Sequence, residues 1–170
     1  MHATIDALTF AHPHLRLRTV TAEDQSFLLQ LYASTRADEL NALGWQDAQR
    51  DAFVQMQFVA QQRAYFAYPD AAFWLVLHDE TPVGRLYLQD GVTALRVIDL
   101  SLLPEYRNRE LGTALLAACC TQDKPVQLHV DKTNPALRLY LRLGFVPVED
   151  KGVYLLMERR PDRESIANRQ

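Results

Sequence analysis

The chain has 170 residues, of which 48% are hydrophobic and 23% charged. This is close to the average of soluble globular proteins and excludes wholesale disorder, a collagen repeat and a disulfide miniprotein. The length suits one domain, and 18 basic against 21 acidic residues leave a net charge of −3, no field for holding a polyanion, so nucleic acid is not an expected partner.

The longest apolar runs, Ala71 to Leu77 and Ala114 to Cys120, fall well short of the roughly 18 residues that span a bilayer, so no membrane helix is expected. The opening residues Met1 to Asp6 lack both a basic n-region and an apolar h-region, so no signal peptide is expected either, and the expected location is cytoplasmic. Residues 15–20 alternate apolar and polar with period two and predict a strand buried on one face. Thr21 with Glu23 and Asp24 predicts a capped helix start, and Phe27, Leu28, Leu31 and Tyr32 continue it at helical spacing to about Ser34. Gly44 ends a further short turn of helix. A second, Gln-rich helix follows with a narrow stripe of Phe53, Met56 and Ala60, so much of its surface must face solvent or a ligand.

Two β-favouring runs, Phe73 to His78 and Val83 to Leu88, flank Asp79-Glu80-Thr81-Pro82 and predict a hairpin. A third run, Leu95 to Leu103, follows a turn at Gln89-Asp90-Gly91 and extends it to an antiparallel meander. Beyond Pro104 the period changes, and Leu111, Ala114, Leu115, Ala118 and Cys119 trace the apolar face of a helix that Asp123-Lys124-Pro125 stops. Val126 to Val130 is a strand. Asn134 then caps a helix with Pro135 at its first position and Gly144 at its end. Strands at Phe145 to Val148 and Tyr154 to Met157 complete the order. Residues 159–170 have no apolar period and are expected to be a frayed polar tail behind a single domain of residues 1–158.

The adjacent Cys119 and Cys120 suit core packing better than a disulfide or zinc spacing. His12-Pro13-His14 places two imidazoles together, but neither a Cys nor an acidic partner is near in sequence, and His78 and His129 stand apart in strand-like segments, so no metal is expected. Two other segments carry more information than packing needs. From Ile98 to Leu116 a strand passes through a polar turn into a helix whose first turn holds Gly112 and Thr113, aiming free backbone N–H groups and the positive end of the helix dipole at one spot that suits a phosphate.

From Leu128 to Phe145 the sequence has a strand, Asn134-Pro135-Ala136-Leu137, Tyr140 and Gly144-Phe145. This segment resembles motif B of the GNAT N-acyltransferase superfamily, and the segment before it is similar to that family's motif A. The resemblance implies a mixed α/β fold: a twisted sheet of about seven strands, flanked by about four helices and splayed at its central strand, with acetyl-CoA wedged into the opening. Pro104, which cannot pair normally in a sheet, fits such a splay. By the same resemblance Arg107, Asn108, Arg109, Glu110, Leu111, Gly112 and Thr113 surround the pyrophosphate, Leu102 and Leu103 meet the pantetheine arm through their backbone, and Asn134 stands on the cofactor side. Tyr140 falls where the family's phenol protonates the leaving thiolate.

Glu110 stands where the family pattern has Gly, which sets an anionic side chain where backbone approaches the pyrophosphate. Asp99 is the nearest carboxylate on the central strand, but period-two alternation puts Arg96, Ile98 and Leu100 on the face where the family's bases lie and Asp99 on the other, unless a bulge intervenes. The expected reaction is transfer of acetyl from acetyl-CoA to a primary amine by direct attack in a ternary complex. Tyr32, Arg36, Glu39, Trp45 and Gln57, on and between the first two helices, are candidate acceptor-site residues. A non-catalytic acyl-CoA-binding or partner-regulating domain is the alternative, and a homodimer is a habit of the family.

Overall fold

The computed structural model describes residues 8–162. The opening hexapeptide and most of the expected tail lie outside these described residues. The element order is β1 (Leu15–Thr19), a 3₁₀ turn at Ala22–Asp24, α1 (Gln25–Ala42), α2 (Asp47–Phe66), β2 (Ala71–His78), β3 (Thr81–Asp90), β4 (Leu95–Leu102), a 3₁₀ turn at Pro104–Tyr106, α3 (Leu111–Cys119), β5 (Val126–Asp131), α4 (Leu137–Arg142), β6 (Val146–Asp150) and β7 (Tyr154–Arg159). The strands form one mixed sheet in the order β1-β2-β3-β4-β5-β7-β6. All neighbours are antiparallel except β4 and β5, which run parallel.

Helices cover both faces of the sheet. On one face Leu28, Tyr32 and Leu40 of α1 and Val54 and Phe58 of α2 pack on Leu75 and Leu77. On the other, Leu111, Leu115, Leu116 and Cys119 of α3 pack on Leu86, Leu95, Val97, Val126 and Leu128. Period two in the strands and period 3.6 in the helices thus generate two cores with the sheet between them.

The structure corrects three expectations about the elements. Helix α1 continues past Ser34 to Ala42, because Leu40 reaches the core and extends the buried face by another turn. The buried stripe of α2 is Val54, Phe58 and Gln62, while Met56 and Ala60 are exposed and Phe53 lies at the margin, so the helix is rotated from the expected face. The segment after Asn134 begins as a turn: the Asn134 side-chain oxygen accepts the Ala136 N–H at 2.9 Å, and regular helix starts only at Leu137.

The sheet parts in its middle. Strands β4 and β5 pair only from Leu95 to Val97 against Val126 to Leu128. Beyond that point, among the described residues, β4 pairs with β3 alone and β5 with β7 alone. Opposite Tyr87 and Leu88 the register slips by one, leaving Ile98 as an extra residue on β4. A bulge bends the strand that carries it, and this one stands where the two strands separate. The opening therefore starts well before Pro104, which serves only to end β4. At the far end of β4 a Cβ on Gly84 would meet the Ser101 carbonyl oxygen at 2.3 Å. Only glycine lets β3 lie so close to the free portion of β4.

Candidate active site

The bulge changes which residues of β4 share a face. Arg96 pairs with Gln89 and Asp99 with Tyr87, so Asp99 and Ser101 lie on the same face as Arg96, and Ile98 and Leu100 do not. Plain alternation therefore fails here, and the exception allowed for a bulge is what the strand adopts. Asp99 faces the α1 and α2 side of the sheet, where its carboxylate accepts three bonds. Tyr65 donates its hydroxyl to Oδ2 at 2.8 Å, Arg85 donates Nη2 to Oδ2 at 2.7 Å, and Ser101 donates its hydroxyl to Oδ1 at 2.6 Å.

Arg85 is deeply buried, its side chain being only 1% exposed. Its guanidinium also donates to Gln61 at 2.8 Å and lies 5.1 Å from the centre of the Tyr87 ring and 5.5 Å from that of Tyr65. An ionised side chain so deep needs a counter-charge, and Asp99 supplies it. Burial and the neighbouring Asp99 charge both hold the Tyr65 phenol well above the ordinary tyrosine range, so it remains a donor. Sequence reasoning missed Arg85, Tyr65 and Gln61. A single Arg inside the apolar run from Val83 to Leu88 was the available signal, since a charge in a buried strand demands a partner.

Tyr140, on α4, packs against the α3 core and stands 6.0 Å from Phe145, ring centre to ring centre. Burial, with a smaller contribution from the Asp99 charge, pushes its phenol up to about 12. It is therefore protonated at neutral pH.

The turn after β4 is built around a side-chain clasp in which Arg107 Nε donates to the Leu102 carbonyl at 2.9 Å. Leu102 and Leu103 are buried, while Arg107, Asn108, Arg109 and Glu110 are exposed, and the Arg109 guanidinium lies 5.4 Å from the centre of the Tyr106 ring. Leu111 is buried in the core and anchors the start of α3. A Cβ on Gly112 would meet nothing nearer than Leu139 Cδ2 at 3.6 Å, so no contact among the described residues requires glycine there. The turn thus presents the unpaired N–H groups of the first turn of α3 beside an unfilled glycine surface.

Glu110 is the N-cap of α3 and has φ +60°, a left-handed conformation that suits glycine and costs an L-residue roughly 1–2 kcal/mol. Glu110→Gly is therefore expected to fold at least as stably as the parent and to bind acetyl-CoA more tightly, by a margin that shrinks as salt screens the carboxylate. Titrations of both proteins at low and high salt check this, and weaker binding by the Gly variant refutes it.

Four of the five candidate acceptor-site residues meet. Tyr32 donates its hydroxyl to Gln57 at 3.1 Å, Arg36 donates to the Tyr32 oxygen at 3.3 Å, and Arg36 pairs with Glu39 at 3.0 Å. Trp45 instead packs edge-on against Phe53, their ring centres 5.1 Å apart. Gln57, Gln61 and Tyr65 follow at four-residue steps along α2 and lead from the Tyr32 cluster to Asp99.

Residues 69–147 match the family model described as acetyltransferase (GNAT) domain. No curated protein matches the chain in sequence. Among solved structures the chain resembles the PaiA N-acetyltransferase of Thermoplasma acidophilum in complex with coenzyme A, at 19% identity and a TM-score of 0.62 over 86% of this chain and 98% of that one. It also resembles an acetyltransferase of Thermus thermophilus, at 18% identity and a TM-score of 0.63 over 89% and 99%. A third is Arabidopsis thaliana Naa50 in complex with the bisubstrate analogue CoA-Ac-MVNAL, at 17% identity and a TM-score of 0.54 over 86% and 98%. Residues 69–147 thus match a GNAT acetyltransferase domain, and the described residues share the GNAT fold of these solved structures.

Proposed function

We propose that the protein is a cytoplasmic N-acetyltransferase that moves the acetyl group of acetyl-CoA to a primary amine of a small molecule or peptide by direct attack in a ternary complex. The observation that carries this reading is the parting of β4 from β5 after Val97, with Asp99 and Ser101 on the free portion of β4 and the chain running from Leu102 through one turn into α3. The relatives seen with coenzyme A or a CoA–peptide conjugate support the donor and the amine class of acceptor.

Bound acetyl-CoA supplies the thioester, and this chain's residues do the rest. The first-turn amides of α3, with Arg107 to Thr113 around them, hold the pyrophosphate. Asn134 steadies the turn before α4. An alkyl ammonium acceptor, with a pKa of roughly 10, must lose a proton before it attacks. Ser101 gives that proton a route, because its hydroxyl already donates to Asp99 and can accept from the amine directly or through water. Backbone N–H groups of the free portion of β4 hold the developing oxyanion, and Tyr140 protonates the sulfur. The Tyr32, Arg36, Glu39 and Gln57 cluster, with Trp45 beyond it, forms the acceptor wall. Glu39 suits a second amine and Arg36 a carboxylate.

Direct attack agrees with the state of the thiols. Burial pushes Cys119 up to about 12 and raises Cys120, so neither offers a thiolate for an acyl-enzyme. Both are free, as suits a reducing cytoplasm.

The test is steady release of CoA thiol from acetyl-CoA with a panel of alkyl amines, polyamines, amino acids and peptides with free N-termini. Turnover above hydrolysis with at least one amine is expected. Tight CoA binding with no turnover on any class would instead mean a non-catalytic acyl-CoA-binding domain.

A further inference from the structure

We propose that His12, His14 and His78 bind one divalent transition-metal ion, for which Zn2+ serves as the probe. Their geometry is independent of the proposed acetyl transfer. The pairing of β1 with β2 sets Leu15 opposite His78, so the segment entering β1 lies against the turn leaving β2. This brings three imidazoles from two distant stretches of sequence into a triangle, with ring centres 5.7 Å apart for His12 and His14, 5.6 Å for His12 and His78, and 5.7 Å for His14 and His78. Three imidazoles on a tetrahedral zinc, with Zn–N of about 2.0–2.1 Å, have ring centres about 5 Å apart. The triangle is close to that size.

Asp79 adds the acidic partner that the local sequence around His12 and His14 lacks. Its Oδ1 lies 2.7 Å from His14 Nδ1 and its Oδ2 lies 3.6 Å from His78 Nδ1. A carboxylate accepting from Nδ1–H fixes the tautomer in which Nε2 carries the lone pair, which is how metal-ligating histidines are commonly oriented. The turn is pinned to the segment before β1, since the Asp79 N–H donates to the His14 carbonyl at 3.1 Å. Among the described residues the His12 Nδ1 accepts the His14 N–H at 3.4 Å, a long bond that the His12 ring gives up on turning to offer a nitrogen to the metal. Among the described residues no three donors already converge as a ligand set. The rings are mutually tilted by 40–67°, and side-chain exposure of 54% at His14 and 26% at His78 leaves room for the rotations that bring the nitrogens together. Other charges at this edge belong to Arg16 and Glu80, which pair at 3.3 Å. The Tyr106 ring centre lies 5.8 Å from that of His78 and 5.4 Å from the Arg109 guanidinium, so the site adjoins the turn before α3.

Titration of the full chain with Zn2+ against a chromophoric chelator tests the proposal. One zinc per chain is expected, bound at least tenfold more weakly after His14→Ala or His78→Ala and about 10- to 100-fold more weakly after Asp79→Asn, which keeps a residue tolerant of the left-handed conformation that Asp79 adopts at φ +48°. His129→Ala should leave the affinity unchanged. Absence of zinc binding overturns the site, and so does binding that survives both His→Ala substitutions undiminished, with circular dichroism confirming that each variant is folded.

Discussion

Tyr140→Phe is expected to lower kcat roughly 10- to 1000-fold while leaving the acetyl-CoA dissociation constant nearly unchanged. The substitution removes only the hydroxyl, so the ring keeps its packing on Phe145 and the α3 core. In the proposed reaction that hydroxyl gives a proton to sulfur as the C–S bond breaks, an interaction made in the transition state and absent from the ground state. A raised pKa of about 12 means the free protein holds the proton throughout the physiological range. The alkaline limb of the pH–rate profile, if it falls below that value, must therefore come from another group. An unchanged kcat, with chemistry shown to limit the rate, removes Tyr140 from the mechanism. An equal loss of affinity for acetyl-CoA would instead assign the hydroxyl to binding.

Much of the fold was legible because its determinants are local. Period-two alternation located β1, the Asp79-Glu80 turn located the β2–β3 hairpin, and the spacing from Leu111 to Cys119 located α3. What escaped depends on contacts between distant segments. The rotation of α2 that buries Val54 and Phe58 is set by the sheet beneath it, and helix periodicity alone left the neighbouring Phe53, Met56 and Ala60 stripe as good a choice. The bulge at Ile98 has no Gly or Pro to announce it, yet it decides that Asp99 and Ser101 face α2. The three-histidine triangle exists only because β1 and β2 pair, a fact invisible in the spacing of His12, His14 and His78. The candidate pyrophosphate turn was the most legible part, since a strand, a polar turn and a helix start are contiguous in sequence.

The largest expected effect on stability belongs to the pair that sequence reasoning half saw. Arg85→Met, which roughly keeps the volume of the side chain, leaves the Asp99 carboxylate in place with Tyr65 and Ser101 but without its counter-charge. Breaking one side of a buried pair typically costs about 3–5 kcal/mol, because the surviving charge stays desolvated. For a chain of this length that is a fall in Tm of about 6–20 °C. Asp99→Leu alone should cost a similar amount by stranding the guanidinium, whose Nε and Nη1 have no hydrogen-bond partner among the described residues. The double variant, Arg85→Met with Asp99→Leu, removes both charges and should be markedly more stable than the sum of the two losses predicts, the excess being the coupling within the pair. Urea unfolding of the four proteins measures it. Additive losses would mean that the two groups are stabilised independently, and a single-variant cost below about 1 kcal/mol, the range of exposed ion pairs, would mean that water reaches them. The same series separates support from chemistry: Asp99→Asn keeps the shape of the carboxylate and can still accept from Arg85, so a loss of kcat larger than its loss of stability explains would assign Asp99 to the proton route through Ser101.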